Sequence, residues 1–359
     1  MPRTDHTSRA QPSRTHAAAR HVGEICCAAL AIACGGGGSE PPQIEQLSPA
    51  PALESIAYER LGSGKLAFRR VSDGNYLYVI DATARTVAAL SVYPLSADFA
   101  LSRDGTRIAY SAWSGNAPTS GPPSSLYDIS TKSLAGADSQ RVTALLGQEG
   151  SPSWSSDGRS LYFFSSAPPF GIYRQPISSS PLAPTPVLTS DTDPCLFSPE
   201  SPVSASANGR LAFTCVSAVY TVNGDGSDRR TLLSRTSPPG YADGFYSPAW
   251  SPDGQWLAFL RLFEDPTSAT RPLTLIVGLV RPDGSGARTV ASVNMAPVVS
   301  TIGHNHLSLA WSPDGSRLAF NVFAGGLASH IHVVGVDGTG LVQVTTRDGA
   351  HDHSLTWVP

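Results

Sequence analysis

Charge is scarce in this chain: Asp, Glu, Lys and Arg make up 15% of its 359 residues, and the formal net charge is -3. There is no basic excess to draw it toward nucleic acid or an anionic membrane surface. No apolar run is long enough to span a bilayer; the one at 25–33 falls well short. A Gly-x-Ser-x-Gly nucleophile elbow is missing, which excludes the usual serine-hydrolase arrangement. Glycine pairs occur at Gly224 and Gly226, Gly284 and Gly286, and Gly338 and Gly340, but they sit in hairpin turns and not at the mouth of a helix, so no phosphate-binding loop is expected. Helix-periodic stretches are few. In their place stand 33 Gly and 30 Pro, the residues of a chain that turns often.

One unit recurs. Ala249-Trp250-Ser251-Pro252-Asp253-Gly254 leads into Leu257-Ala258-Phe259, and Ala310-Trp311-Ser312-Pro313-Asp314-Gly315 leads into Leu318-Ala319-Phe320. Fainter copies precede Leu161-Tyr162-Phe163, Ile108-Ala109-Tyr110 and Leu211-Ala212-Phe213. Pro fixes φ at the first corner of a type I turn, Asp suits the second, and Gly takes the left-handed position that follows, so each copy predicts a tight β-hairpin. Two further strand-like runs follow each hairpin, as in 330–336 and 341–345, separated by Asp337-Gly338-Thr339-Gly340. Four antiparallel strands per repeat make one propeller blade.

The second-strand signature starts at Leu66, Ile108, Leu161, Leu211, Leu257 and Leu318, which predicts an all-β, six-bladed β-propeller of four-stranded antiparallel blades. The first copy lacks its Trp-bearing strand. Ser354-Leu355-Thr356-Trp357 has that character and no partner after it, so this C-terminal strand is expected to join the first blade and close the ring. The Trp-Ser-Pro-Asp-Gly-x-x-Leu-Ala-Phe unit resembles the TolB-like, WD-repeat-like β-propeller family over roughly residues 55 to 359. The sialidase Asp-box is a weaker match, because Asp and Gly are adjacent here. The resemblance implies the fold and leaves the function open, since propellers serve as scaffolds, receptors and enzymes. No α/β-hydrolase domain has room to accompany it.

Three segments are expected: a signal peptide at 1–33, a lipidated cysteine with a flexible tether at 34–55, and the propeller at 56–359. Arg9, Arg14 and Arg20 precede the apolar run, which ends at Ala31-Ile32-Ala33-Cys34 before a Gly and Ser stretch. This resembles a bacterial lipobox, which implies a lipid on Cys34 and a place in the cell envelope, on the periplasmic side of the outer membrane or the cell surface. The other reading of the segment is a tail with an incidental Ala-rich patch. Cys26 and Cys27 leave with a signal peptide, so Cys195 and Cys215 remain as an even pair that forms a disulfide in an oxidising compartment or stays as two buried thiols.

Irregular residues concentrate in the connections between second and third strands, at 113–124, 167–170 and 263–272. Trp113, Phe170, Tyr241, Phe245, Tyr246 and Phe263 place aromatics on that loop face, which suits either a protein or glycan partner or simple packing of the loops.

The six histidines outside the first segment all fall in His-x-His pairs: His304 with His306, His330 with His332, and His351 with His353. Residues i and i+2 of a strand point to one side. The first and third pairs each lie just before a Trp-bearing innermost strand, in neighbouring blades, and the middle pair opens a third strand at the same face. Converging neutral imidazoles suit zinc, copper, nickel or manganese, with Asp352 as a further oxygen ligand. Hydrogen bonding of neighbouring loops is the other reading. Oligogalacturonate lyases, also TolB-like propellers, carry a similar His-x-His before a Ser-Pro-Asp-Gly strand and use it for a divalent metal. That resemblance implies ligands at His304 and His306, or His351 and His353. Two functions therefore stand: an envelope scaffold that binds a protein or glycan, and a metal-dependent enzyme of the polysaccharide lyase kind.

Overall fold

A computed structural model describes residues 56–359 apart from 73–75, 92–94, 114–126, 136–137, 146, 179–182, 194–202, 216–217, 239–240, 269, 271, 296–305 and 326–327. A single helical turn, α1 (Tyr58–Leu61), precedes the first blade, where β1 (Lys65–Arg70), β2 (Tyr76–Asp81) and β3 (Thr86–Ser91) run outward. The second blade is β4 (Leu95–Leu101), β5 (Arg107–Trp113), β6 (Tyr127–Ser133) and β7 (Ser139–Arg141). The third is β8 (Glu149–Trp154), β9 (Ser160–Ser165), β10 (Gly171–Pro176) and β11 (Thr185–Thr189). The fourth is β12 (Ser204–Ala205), β13 (Arg210–Cys215), β14 (Ala218–Asn223) and β15 (Arg230–Ser234). The fifth is β16 (Asp243–Trp250), β17 (Leu257–Glu264), β18 (Leu273–Val280) and β19 (Arg288–Asn294). The sixth is β20 (Leu309–Trp311), β21 (Arg317–Gly325), β22 (Ala328–Gly335) and β23 (Val342–Gln343). The last strand, β24 (Asp352–Val358), pairs antiparallel with β1 as the innermost strand of blade one. The fold is thus a six-bladed β-propeller of four antiparallel strands per blade, closed as the sequence predicts.

The repeated turn forms for a reason visible in its hydrogen bonds. Gly254 N donates to Ser251 O at 2.9 Å, and Gly254 has φ +69°, the left-handed conformation that glycine adopts without a steric cost. Asp253 Oδ1 accepts from Ser251 Oγ at 2.5 Å and from Gln255 N at 3.0 Å, while Ser251 Oγ accepts from Trp256 N at 2.9 Å. The serine is therefore as much a part of the turn as the Pro-Asp-Gly that follows. The set recurs at Ser312, Asp314 and Gly315. Hydrogen bonds from Ser251, first among the causes, hold the Asp253 carboxyl below its ordinary range, in keeping with a turn former.

Trp154 and Trp311 fasten blade to blade: their indole N–H groups donate to Ala100 O and Ala249 O of the preceding innermost strands at 3.0 and 2.8 Å. Between blades, apolar faces meet in separate clusters. Ile331 and Val333 pack with Phe68, Tyr78 and Trp357 across the closure, whereas Phe320, Val322 and Val334 pack with Leu260, Leu262 and Leu275 of blade five. All six innermost strands line a cavity of about 370 Å³ on the propeller axis, rich in serine hydroxyls.

Cys215, the last residue of β13, is fully buried and disulfide-bonded, and Cys195 lies outside the described residues. Cys34 lies outside them as well. No helix among the described residues is long and apolar enough to cross a membrane.

Candidate metal centre

Three of the paired histidines meet where the ring closes. His306 precedes β20 of blade six, His351 precedes β24, and His353 lies within β24. Their ligand atoms all lie within 4.8 Å of one another, and ring centroids are 4.6 to 5.1 Å apart.

The backbone around each is tied down. Asn321 of β21, fully buried, donates through Nδ2 to His306 O at 3.0 Å and accepts from Ser308 N at 2.8 Å, so blade six's second strand fixes the loop that carries His306. On either side of the 350–351 peptide, Ser329 N of β22 donates to Ala350 O at 2.8 Å and Val71 N donates to His351 O at 3.1 Å. That clamp holds His351 between blade six and blade one. His353 stands opposite Arg69 of β1 in the ladder and is 1% exposed.

His351 Nε2 lies 3.0 Å from His306 Nδ1, and His351 Nδ1 lies 2.9 Å from Ser329 Oγ. His353 Nδ1 meets Ser354 Oγ at 2.8 Å, while His353 Nε2 is buried with no hydrogen-bond partner. A buried polar nitrogen without a partner is costly, and the ring that carries this one packs against two more imidazoles. Burial, and then electrostatic interaction with His306 and Arg69, pushes the His351 pKa down to about 4. The same causes, burial first, hold His353 well below the ordinary histidine range. Both rings are neutral at pH 7, the form in which imidazole binds metal.

The other expected ligands separate from this trio. His304 lies outside the described residues. His330 and His332 do not join the cluster, because side chains alternate along β22. Ser329, Ile331 and Val333 point toward blade one, so His330 and His332 share the opposite side with Val334, toward blade five, where His332 stacks on Phe320 at 5.9 Å. Asp352 also turns away from its histidine neighbours, and its carboxylate is bound to Arg70 by bonds of 2.6 and 2.8 Å. It is not an oxygen ligand here. The third pair does not lie wholly ahead of its strand, since His353 falls within β24.

The aromatic face is only partly a surface. Trp113, at the end of β5, is 53% exposed. Phe170, Tyr241 and Phe263 are half-buried, and Phe263 lies under the Arg261 guanidinium at 4.8 Å. Phe245 and Tyr246 belong to β16 and not to a loop. Phe245 is 3% exposed and meets Phe259 edge-on at 5.5 Å, and Tyr246 packs against the core between blades five and six. β16 begins earlier than the Trp signature suggests because a bulge at Ser247, with φ +47°, lets the strand continue past the repeat unit.

A second buried group escaped the sequence reading. Glu149 of β8 and Asp128 of β6 are each 1% exposed at the junction of blades two and three. Glu149 accepts from Thr143 Oγ1 and Ser165 Oγ, each at 3.3 Å, and Arg141 reaches Asp128 at 2.5 Å. Burial, and then the hydrogen bond and charge of Asp128, push the Glu149 pKa up to about 9. Neither residue lies in a recognisable motif.

No protein-family model matches the chain, and no curated protein matches it in sequence. Solved structures do match its fold. TolB from Acinetobacter baumannii is 16% identical with a TM-score of 0.60, over 82% of this chain and 67% of that one. Hydrazine synthase from Kuenenia stuttgartiensis is 12% identical with a TM-score of 0.54, over 85% of this chain and 47% of that one. An oligogalacturonate lyase in complex with manganese is 14% identical with a TM-score of 0.48, over 82% of this chain and 77% of that one. At such identities the likeness is one of fold alone, that of a β-propeller.

Proposed function

We propose that this chain is a cell-envelope lipoprotein whose β-propeller binds a divalent transition metal where its ring closes and offers the same loop face to a protein or glycan partner. The observation that carries the metal is the buried, unpartnered Nε2 of His353 beside His306 and His351. Nitrogen donors alone favour zinc, copper or nickel over manganese, which prefers oxygen. Bound there, the ion supplies Lewis acidity, and three protein ligands leave positions open for an exogenous group. The envelope assignment rests on the basic, apolar and Cys34 order of the first 34 residues, with 1–33 as signal peptide and 34–55 as lipidated tether. A Cys195–Cys215 bridge belongs to the same reading, supported by the disulfide-bonded state of Cys215. Exposed Trp113 supports the partner face.

Elemental mass spectrometry of the full chain, beside His306→Ala, His351→Ala and His353→Ala, tests the metal. Near-stoichiometric metal lost in the variants is expected; its absence from the unaltered protein removes the reading. Capture from solubilised envelope tests the partner, which is expected to be lost with Trp113→Ala.

The open positions of a three-imidazole set favour a second reading, a metal-dependent polysaccharide lyase. Release of unsaturated product from uronate oligomers, read by absorbance with metal supplied, is its assay, and no signal across the oligomers removes it.

A further inference from the structure

His351 can turn either ring nitrogen into a lone pair, and only one choice serves a metal shared with His306 and His353. A residue outside the trio makes that choice. Ser329, fully buried at the start of β22, has two hydroxyl contacts: Asp352 O at 2.7 Å and His351 Nδ1 at 2.9 Å. A carbonyl oxygen only accepts, so the single hydroxyl hydrogen goes to Asp352 O. Ser329 Oγ then meets Nδ1 with a lone pair, and the contact is a hydrogen bond only if Nδ1 carries the hydrogen. In a neutral ring that leaves Nε2 bare, on the side where it faces His306 Nδ1 at 3.0 Å.

The fold itself does not call for a serine at this place. The parallel bridge between Ser329 and His351 has a counterpart between Tyr127 and Gln148, one junction of blades two and three for one of blades six and one. Two residues on, the surroundings match: Ile331 N donates to Thr345 Oγ1, and Ile129 N donates to Thr143 Oγ1. A tyrosine therefore occupies the same backbone position where no histidine follows. At that counterpart the bridge forms without a serine, whereas the serine here stands within hydrogen-bond reach of an imidazole.

We propose that Ser329 is the positioning residue of the metal centre, selecting the Nδ1–H tautomer of His351 so that Nε2 is presented to a divalent transition metal. The inference rests on the metal reading above. Second-sphere hydrogen bonds of this kind fix ring orientation and raise ligand basicity, and their loss typically weakens metal binding about 10- to 100-fold.

The test uses the full chain with histidine rings labelled in ¹⁵N, and Zn²⁺ affinity measured by competition with a chromophoric chelator. Metal-free wild type is expected to show His351 with hydrogen on Nδ1. Ser329→Ala is expected to mix the tautomers and weaken Zn²⁺ binding about 10- to 100-fold. Ser329→Thr, which keeps the hydroxyl, is expected to restore most of the affinity. A wild-type His351 that carries its hydrogen on Nε2 would overturn the proposal without any variant having to fold. So would wild type and Ser329→Ala that bind Zn²⁺ equally. Wild type that takes no Zn²⁺ overturns the metal reading and this role with it, an outcome distinct from equal binding by both.

Discussion

Arg70 and Asp352, 282 residues apart in the chain, form a two-point ion pair at 2.6 and 2.8 Å with side chains 2% and 0% exposed. The guanidinium lies over Phe68 and Tyr78 at 5.7 and 5.4 Å. The pair fastens β24 to β1 beside the histidines, and Arg70 stands opposite Asp352 in the ladder. A buried pair adds little over an apolar isostere, yet removing one partner strands the other charge at a cost of about 3–5 kcal/mol. Asp352→Asn is expected to lower stability by that order in urea melts. Arg70→Met combined with Asp352→Leu is expected to cost less than the two single changes summed; additive losses would show that the pair is not the lock.

Metal is expected to act as a second fastening. Its ligands come from the loop into blade six and from the strand that completes blade one. An ion bound only by the folded ring stabilises it by about 2.7 kcal/mol at a hundredfold excess over Kd. Thermal melts with Zn²⁺ and with chelator should therefore differ for wild type, and His306→Ala or His351→Ala should each abolish the difference.

The metal-free protein should lose stability in acid. The His351 pKa is lowered from 6.5 to about 4, and His353 is held well below its ordinary value, burial being the larger cause for each. Below about pH 6.5 the unfolded chain takes up protons that the folded one refuses, so stability is full above that pH and falls as pH drops toward 4. Melting temperature against pH should show that slope, and His351→Gln should flatten it.

Glu149 has the opposite sign. Its pKa is raised from 4.5 to about 9, burial first among the causes, so the folded protein keeps a proton that the unfolded chain releases. Stability from this group is complete below about pH 4.5 and declines as pH rises toward 9. Glu149→Gln, a neutral isostere, is expected to raise the melting temperature at pH 8 and to add much less at pH 5. An equal gain at both would contradict the buried neutral acid.

The blades were legible because five of the six repeat the same local chemistry, a Ser-x-Asp-Gly or Ser-x-Asn-Gly turn before an apolar strand, and Trp154 and Trp311 each reach the preceding blade. Closure was legible from a Trp strand at 354–357 with no partner of its own. The histidine trio was half legible. His351 and His353 converge because i and i+2 share a face, but the same rule turns His330 and His332 toward blade five, since Ser329 occupies the side facing the closure. Asp352 lies between two of these histidines and still points elsewhere, to Arg70. The role of Ser329 and the pairing of Glu149 with Asp128 depend on which blades become neighbours, that of Asn321 on strand pairing within blade six, and nothing in the local sequence marks them. Phe245 read as a loop aromatic only because the bulge at Ser247 carries β16 beyond the repeat.

Because β24 follows every other described strand and fills the innermost place in the first blade, the order of synthesis and the order of assembly cannot coincide. Five blades can form as they emerge, while β1 waits with an unpaired edge until the final strand arrives. Two of the three imidazoles arrive with that strand. A ribosome that stops short of residue 351 leaves an open ring with a lone His306, so metal capture would mark the finished product.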